Sequence, residues 1–427
     1  MRSLLLDDFE ARGLMADVTH RDELARHLAE GPRSIYCGFD PTADSLHVGS
    51  LLPLLTLRRI QAAGHRPIVL IGGGTGLIGD PSGKAGERAL SEQSQVAAWG
   101  ERLKAQVSRF LDFGAGPTAA QLLDNYTWLS GLDVLGFLRD IGKEFSIGAM
   151  IAKESVRARM GRADAGLSYT EFSYQILQAY DFLRLFQDHR CTAQIGGSDQ
   201  WGNITAGIDL IRRKTGGVAY GLTVPLVTKA DGTKFGKTES GTVWLDPAQT
   251  SPYEMYQVWL NTADTDVITY LKYFTFLSLE RIKQLAEETA QRPERREAQE
   301  VLAEEVTTLV HGEAAVGEAR EITERLFEGG VRSLTREQAA QACSAMPHMV
   351  LSLDAGPIAV VDLLTKAGLA ESKKRARELI AAGAIQVNGD PVENPSDAVS
   401  RGTALFGKYF ILKKGKKTFA AATLPES

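Results

Sequence analysis

Arg33-Ser34-Ile35-Tyr36-Cys37-Gly38-Phe39-Asp40-Pro41-Thr42, running on through Ala43-Asp44-Ser45-Leu46 into His47-Val48-Gly49-Ser50, is the stretch that decides the fold. Arg33 to Phe39 reads as a strand. Leu46 to Ala63 reads as a helix stopped by Gly64, with Asp44 or Ser45 as its N-cap and Pro53 expected to kink or loosen it. Pro67 to Ile71 reads as a second strand. Strand, helix and strand in this order make a βαβ unit, with parallel strands and a ligand crevice at their carboxyl edge. The turn at His47 opens the helix, and a helix N-terminus offers unpaired N–H groups and a positive dipole end to phosphate.

The alternation continues outward. Ala193-Gln194-Ile195 reads as a short buried strand, Ile204 to Lys214 as a helix and Leu222 to Thr228 as another strand. Leu132 to Arg159 is strongly helical and reads as an insertion between the two halves of the sheet. From Pro252 to Gly330 the pattern turns helical, and from there to Pro357 it loses periodicity, as a linker would. Beyond Pro357, Ala359 to Ala367 and the basic amphipathic Ser372 to Ile380 read as helices. Ile385-Gln386-Val387 then enters an Asn388-Gly389 turn.

Four further segments bear on chemistry. Gly72 to Gly79 contains a formal G-x-G-x-x-G, but Asp80-Pro81-Ser82-Gly83 breaks the chain where a dinucleotide-binding helix would open. Gly83-Lys84 is not a phosphate loop of the Walker type, because Ala85 stands where Ser or Thr is needed. The glycines are expected to let backbone approach a ligand closely. Lys234-Phe235-Gly236-Lys237-Thr238 is a small, doubly cationic loop, which Gly232, Gly236 and Gly241 would let open and close. The helix from Tyr169 to Gln187 starts with Ser168 and Glu171 as a capping box. It carries Tyr174, Gln178 and Asp181 on one face, with Leu177 and Leu185 flanking the carboxylate. A carboxylate among apolar neighbours needs a partner.

Taken together, Gly38-Phe39-Asp40-Pro41-Thr42, His47-Val48-Gly49-Ser50, Gly196-Gly197-Ser198-Asp199-Gln200-Trp201-Gly202-Asn203 and the lysine loop resemble the class I aminoacyl-tRNA synthetases, specifically the bacterial-type tyrosyl-tRNA synthetases. The resemblance runs from Ile35 to the C-terminus. It takes in Gly79-Asp80-Pro81-Ser82-Gly83-Lys84, Gln178-Ala179-Tyr180-Asp181-Phe182 and Leu302-Ala303-Glu304-Glu305-Val306. One position departs from it: Ser50 stands where the family usually has a second histidine.

The expected fold is α/β. A Rossmann-like parallel-sheet catalytic domain spans 1–230, with the helical insertion at 132–159. The signature loop and its connection span 231–252, a helical domain 253–330, a linker 331–356 and a small S4-like α+β RNA-binding domain 357–427.

The resemblance implies roles for single residues. Thr42 and His47 would hold the γ-phosphate of ATP, and Lys234, Lys237 and Thr238 would clamp pyrophosphate, with Lys84 and Arg88 adding charge. Cys37, Gly38, Asp40, Gly49, Ser50 and Asp199 would join His47 and Lys237 around ATP, which brings its own Mg²⁺; no resident metal or tightly bound cofactor is expected. Asp181 and Tyr36 would bond the phenolic hydroxyl of L-tyrosine. Tyr174, Gln178 and Asp80 would take its ammonium, and Gln200 would lie near its carboxylate. Lys373, Lys374, Arg375, Arg377, Lys413, Lys414, Lys416 and Lys417 would contact tRNA(Tyr), and the insertion would make a homodimer interface.

Composition fits these expectations. The chain has 427 residues, 44% hydrophobic and 24% charged, ordinary for a globular protein of two or three domains. The net charge of −5 is uneven: from Gln341 onward 11 Lys and Arg face 8 Asp and Glu, a net of +3, against −8 for the remainder. An acidic body with a small basic tail suits a nucleic-acid contact at the tail. Cys37, Cys191 and Cys343 show no metal or disulfide spacing, as in a reducing cytosol. No stretch reads as a signal peptide or membrane span, so a cytoplasmic protein is expected. Two rivals remain at this point. One is the tryptophan enzyme of the same fold, disfavoured because indole offers only a donor N–H to Tyr36 and Asp181. The other is a catalytically silent synthetase-like RNA-binding protein, to which only Ser50 points.

Overall fold

The computed structural model describes residues 4–82, 90–153, 156–157, 160, 167–230, 232–233, 235–238, 241–352 and 356–425. Residues 1–237, 244–246 and 268–284 form one compact unit, and residues 238–243, 247–267 and 285–427 form another.

The first unit is built on a six-stranded sheet of β1 (Asp17–Val18), β2 (Ser34–Phe39), β3 (Arg66–Ile71), β4 (Gln121–Asp124), β5 (Cys191–Gly197) and β6 (Tyr220–Val224). Its order is β1-β6-β5-β2-β3-β4. Five strands are parallel, and β1 adds an antiparallel edge on β6 that was not expected. Strands β2 and β3 are buried almost throughout because helices cover the sheet, so their sequences run apolar instead of alternating. The chain winds from β2 toward β4 and then returns to β5 on the other side. The carboxyl ends of β2 and β5 therefore flank a topological switch point, where open α/β sheets bind ligands. Strand β6 stops at Val224, short of the expected Thr228, because Pro225 has no N–H for the ladder.

Four helices position the site: α1 (Val48–Ala62), α2 (Gln93–Val107), α3 (Tyr169–His189) and α4 (Trp201–Thr215). Helix α1 runs unbroken through Pro53 to Ala62. Helix α3 is capped by the Ser168 hydroxyl, which accepts the Glu171 N–H at 3.2 Å, and packs along α4. The insertion is not one long helix. It breaks into Val134–Gly136, a π turn at Phe137–Ile141, a 3₁₀ turn at Gly142–Glu144 and Ile147–Ile151. Gly131, Gly136, Gly142 and Gly148 recur through it, and glycine weakens each helical run.

The second unit contains a helical group of α5 (Pro252–Leu260), α6 (Glu297–His311), α7 (Glu313–Phe327) and α8 (Arg336–Ser344). Its five-stranded sheet comprises β7 (His348–Val350), β8 (Ile385–Val387), β9 (Asp390–Pro391), β10 (Tyr409–Lys414) and β11 (Thr418–Thr423), in the order β9-β8-β10-β11-β7. Asn388 and Gly389, at φ 53° and 87°, make the expected two-residue hairpin turn between β8 and β9. The expected linker at 331–356 is corrected. It holds α8, with a full capping box between Thr335 and Gln338, and β7, which pairs in parallel with β11. Ala339, Ala342 and Cys343 are buried, so this segment is part of the packed structure.

Candidate active site

His47 closes the turn after β2 and caps α1 with its own side chain: Nδ1 accepts the Gly49 N–H at 3.0 Å from an extended backbone. Asp44 and Ser45, expected as caps, are used elsewhere. Asp44 pairs with Arg102 at 2.8 Å. The Ser45 hydroxyl donates to the Leu46 carbonyl at 2.7 Å and accepts from Gln106 at 2.9 Å and from the Asp246 N–H at 3.2 Å. His47 also forms an antiparallel bridge with Trp244, their rings edge-on at 6.2 Å. Gly236 of the lysine loop reaches the same turn. Its φ is +83°, and a Cβ built there would lie 3.6 Å from the Val48 Cβ and 3.9 Å from the Gly49 nitrogen. The two signature strings, far apart in sequence, thus share one small space at the first turn of α1.

A second cluster surrounds Asp181 of α3, which is 2% exposed. Its Oδ2 accepts from the Asn125 amide at 2.9 Å and its Oδ1 from the Trp128 indole N–H at 2.7 Å. Burial still pushes its carboxyl up to about 7, against the pull of those two donors. Tyr36, on β2, is 1% exposed, and its hydroxyl has no partner among the described residues. Burial, and then the charge of Asp181, hold this phenol well above its usual range. Gln194 pairs with Tyr36 across β2 and β5, which puts their side chains on one face of the sheet. Its carboxamide oxygen is likewise buried without a described partner. An unmet buried polar group costs about 1–3 kcal/mol, so each is a place where a ligand's polar atom is favoured.

Asp40, at the end of β2, accepts from the Thr75 hydroxyl at 2.7 Å and the Tyr174 hydroxyl at 2.6 Å. Asn125 links this pair to Asp181, donating to Thr75 at 2.9 Å and accepting the Gly74 N–H at 2.7 Å. The glycine stretch is explained here, and differently from expectation. A Cβ on Gly72 would fall 1.9 Å from an Asp40 oxygen, and one on Gly73 2.3 Å from an Asp124 oxygen. These glycines admit the protein's own carboxylates. Nearby, Asp80 accepts from Gln200 at 2.6 Å, and Asn203 donates to Gln178 at 3.0 Å and to Gln200 at 3.3 Å.

The fold therefore brings Asp40, Tyr174 and Asp181 into one network, with the Tyr36 phenol within reach of the Asp181 charge, and Asp80, Gln178 and Gln200 into another. Thr75, Asn125, Trp128, Gln194 and Asn203 were missed. Asn125 had a usable signal, since it directly follows Leu122-Leu123-Asp124 at the carboxyl end of β4. Among the described residues, no group of three or more His, Cys, Asp or Glu is placed to hold a metal ion.

The pattern of the tRNA synthetases class I (W and Y) matches residues 28–328, and that of the tyrosine–tRNA ligase SYY-like C-terminal domain matches residues 338–422. The tyrosine–tRNA ligase of Geobacillus kaustophilus is 54% identical over 416 residues, covering 97% of this chain and 98% of that one. The chain belongs to the tyrosyl-tRNA synthetases. The ligase of Yersinia enterocolitica is 53% identical over 418 residues, covering 98% of each chain. A C-terminally truncated mitochondrial tyrosyl-tRNA synthetase of Aspergillus nidulans superposes with a TM-score of 0.68 at 33% identity, over 76% of this chain and 94% of that one. As a tyrosyl-tRNA synthetase the protein is an aminoacyl-tRNA ligase, and the silent RNA-binding alternative falls away.

Several residues expected in this synthetase's site stand outside those networks. Thr42, Gly38 and Gly49 are exposed, while Ser50 and Asp199 are half-buried. Cys37 is buried, its thiol pushed up to about 12 by that burial. Lys84, Arg88 and Lys234 lie outside the described residues, and of Lys237 and Thr238 only the backbone, a short strand, is described. In the tail, Lys413 and Lys414 are half-buried and bonded to backbone carbonyls. Lys413 donates to the carbonyls of Leu326 and Phe327 at 3.2 and 3.3 Å, capping α7, and lies over the rings of Phe327 and Phe419. Lys414 donates to the Leu369 carbonyl at 2.8 Å. Lys373 pairs with Asp362 at 2.6 Å and Arg375 with Glu378 at 3.0 Å. Lys374, Arg377, Lys416 and Lys417 are exposed and form no ion pair with the described residues.

Proposed function

We propose that this site carries out tyrosine–tRNA ligation with the following division of labour. The observation that carries the reading is the buried Asp181 beside the Tyr36 hydroxyl, which has no partner among the described residues. That pairing suits a phenol, which donates to the carboxylate and accepts from Tyr36. Tyr174, Gln178 and Asp80 receive the substrate ammonium, and Gln200 lies near its carboxylate. The tyrosine carboxylate attacks the α-phosphorus of ATP in line. A new C–O–P linkage forms, the bond to the β-phosphate oxygen breaks, and pyrophosphate leaves. Thr42, His47 and the N-terminal turn of α1 hold the γ-phosphate, and Lys234, Lys237, Lys84 and Arg88 meet the charge that develops on the leaving group. Mg²⁺ enters with the nucleotide. A ribose hydroxyl at the tRNA 3′ end then attacks the adenylate carbonyl and releases AMP. Phenylalanine is rejected because it leaves Asp181 and Tyr36 desolvated and unpaired, an effect for which this enzyme family is itself the type case.

Pyrophosphate exchange into ATP with each aromatic amino acid tests the reading. Exchange is expected with tyrosine only, and exchange with tryptophan, or none at all, sinks it. Lys237→Ala is expected to slow adenylate formation by about 10- to 100-fold in kcat while tyrosine Kd stays put, because the lysine acts on charge that appears in the transition state.

Tyrosine affinity should also follow pH. Asp181 titrates near 7 in the folded protein against an ordinary 3.8, so the stability it lends is complete below about 3.8 and lost as pH rises through about 7. Tyrosine needs the ionised carboxylate as acceptor. Its Kd should therefore fall about tenfold per pH unit up to 7 and level off above, and Asp181→Asn should abolish the slope. Fluorescence titration of tyrosine between pH 5.5 and 8.5 reads this directly.

Exposed Val134, Leu135, Leu138, Ile147 and Ile151 in the insertion support a second copy of the chain as partner. The exposed Lys374, Arg377, Lys416 and Lys417 support tRNA contact through the tail.

A further inference from the structure

The lysine loop is held by more than its own backbone. The Phe235 N–H donates to the Val227 carbonyl at 3.1 Å, and the Lys229 N–H to the Thr233 carbonyl at 2.8 Å, so the segment before Gly236 closes on itself. The Phe235 ring lies 4.6 Å from that of Tyr270 and 6.2 Å from that of Phe274, both buried. Tyr270 also grips the other arm of the turn, its hydroxyl donating to the Thr228 carbonyl at 3.1 Å. One aromatic seat thus engages both arms.

That seat is itself fixed to α1. Arg59, near the C-terminal end of α1 and 7% exposed, donates to the carbonyls of Lys272, between the two seat residues, and Thr275, directly after them, and its guanidinium lies 4.5 Å over the Phe276 ring. Arg12 takes the Leu277 carbonyl at 2.8 Å. Helix α1 therefore presents its first turn to Gly236 and holds the aromatic seat with its last turn. A loop carrying cations needs a defined resting place, because glycines on either side of Phe235 supply no side-chain contact that would orient it.

We infer that Phe235 is the positioning residue of the lysine loop. Its ring, seated on Tyr270 and Phe274, sets where Gly236 and Lys237 meet the first turn of α1, and so ties the pyrophosphate clamp to the helix that receives the phosphates. The inference rests on the reading that this loop is such a clamp.

Hydrogen exchange on the full chain tests the seat without any chemistry. In Phe235→Ala the amides at 229 and 235 should exchange at least about tenfold faster, while those of α1 keep their rates. In single-turnover measurements Phe235→Ala should lower adenylate formation about tenfold or more, with tyrosine Kd within about twofold of wild type, and Phe235→Leu should recover most of the loss. In a Lys237→Ala background the same substitution should cost less than about threefold, because the group it places is already gone. Unchanged exchange at 229 and 235 overturns the inference, and so do losses that multiply in the double variant. Lys237→Ala alone at the wild-type rate overturns the clamp reading on which the inference rests, whereas a slowed Lys237→Ala together with unchanged exchange in Phe235→Ala overturns the inference alone.

Discussion

Asp181→Ala is expected to lower kcat/KM for tyrosine in pyrophosphate exchange by at least about 1,000-fold, while the KM for ATP changes little. Three losses act together. The phenol loses a charged acceptor, one N–H of the buried Asn125 amide loses its acceptor while the other keeps Thr75, and the half-buried Trp128 indole N–H loses its own. Hydrogen bonds to charged groups contribute about 1.5–3 kcal/mol, and stranded buried donors cost about 1–3 kcal/mol each, which is ample for that loss. Asp181→Asn should be milder, about 10- to 100-fold, because one carbonyl oxygen still accepts while its NH₂ meets a donor. Both substitutions should erode the preference for tyrosine over phenylalanine, since the carboxylate penalises an amino acid with no hydroxyl to offer it. Steady-state exchange with both amino acids measures this. An intact tyrosine-to-phenylalanine ratio would remove Asp181 from the substrate pocket.

A chain ending after Met346 is expected to form tyrosyl-adenylate at a rate within about twofold of the full-length protein, yet to charge tRNA at least about 100-fold more slowly. Every residue assigned to activation precedes Ser240, whereas Lys374, Arg377, Lys416 and Lys417 are removed. The position of the cut follows from the packing. Ending at Gly330, where the sequence pattern alone would place the boundary, deletes α8 with its buried Ala339, Ala342 and Cys343, and should give a clearly lower Tm than ending at Met346. Pyrophosphate exchange and aminoacylation on the same truncated protein form the test. Full aminoacylation would refute the tail's role in tRNA binding. Affinity of the full chain for tRNA should also weaken as salt rises, because phosphate contacts release counterions. Lys413→Ala should act differently from Lys416→Ala. The first removes a cap on α7 and should lower Tm, while the second should lower tRNA affinity and leave Tm unchanged.

Legibility varied with how local the deciding physics was. Strands β2 and β3 and helix α1 could be read because a buried parallel strand is apolar throughout and the helix between them is long. The insertion was legible as helical because its apolar spacing is helical, but its division into short α, π and 3₁₀ turns was not. The stretch 331–356 was read as a linker because α8 is short and weakly patterned, although the capping pair Thr335 and Gln338 was there to be found. In the site, the faces of α3 put Tyr174, Gln178 and Asp181 together by helical geometry alone. Asn125, Thr75 and Trp128 escaped notice because they join Asp181 only once β4 lies beside β3 and its carboxyl end points into the crevice.

What the sequence by itself determined is the set of chemical groups: a helix start at His47, a cationic loop at Lys234 to Thr238, and a carboxylate at Asp181 flanked by Leu177 and Leu185. These depend on residue type and short spacing, and short-range rules carry them. Only the tertiary structure decided which groups meet. It placed Gly236 against Val48 and Gly49, set Asn125 and Trp128 against the two oxygens of Asp181, and tied Lys413 and Lys414 to backbone carbonyls. Those contacts join residues distant in sequence. They arise from strand order and helix packing, which no local periodicity encodes.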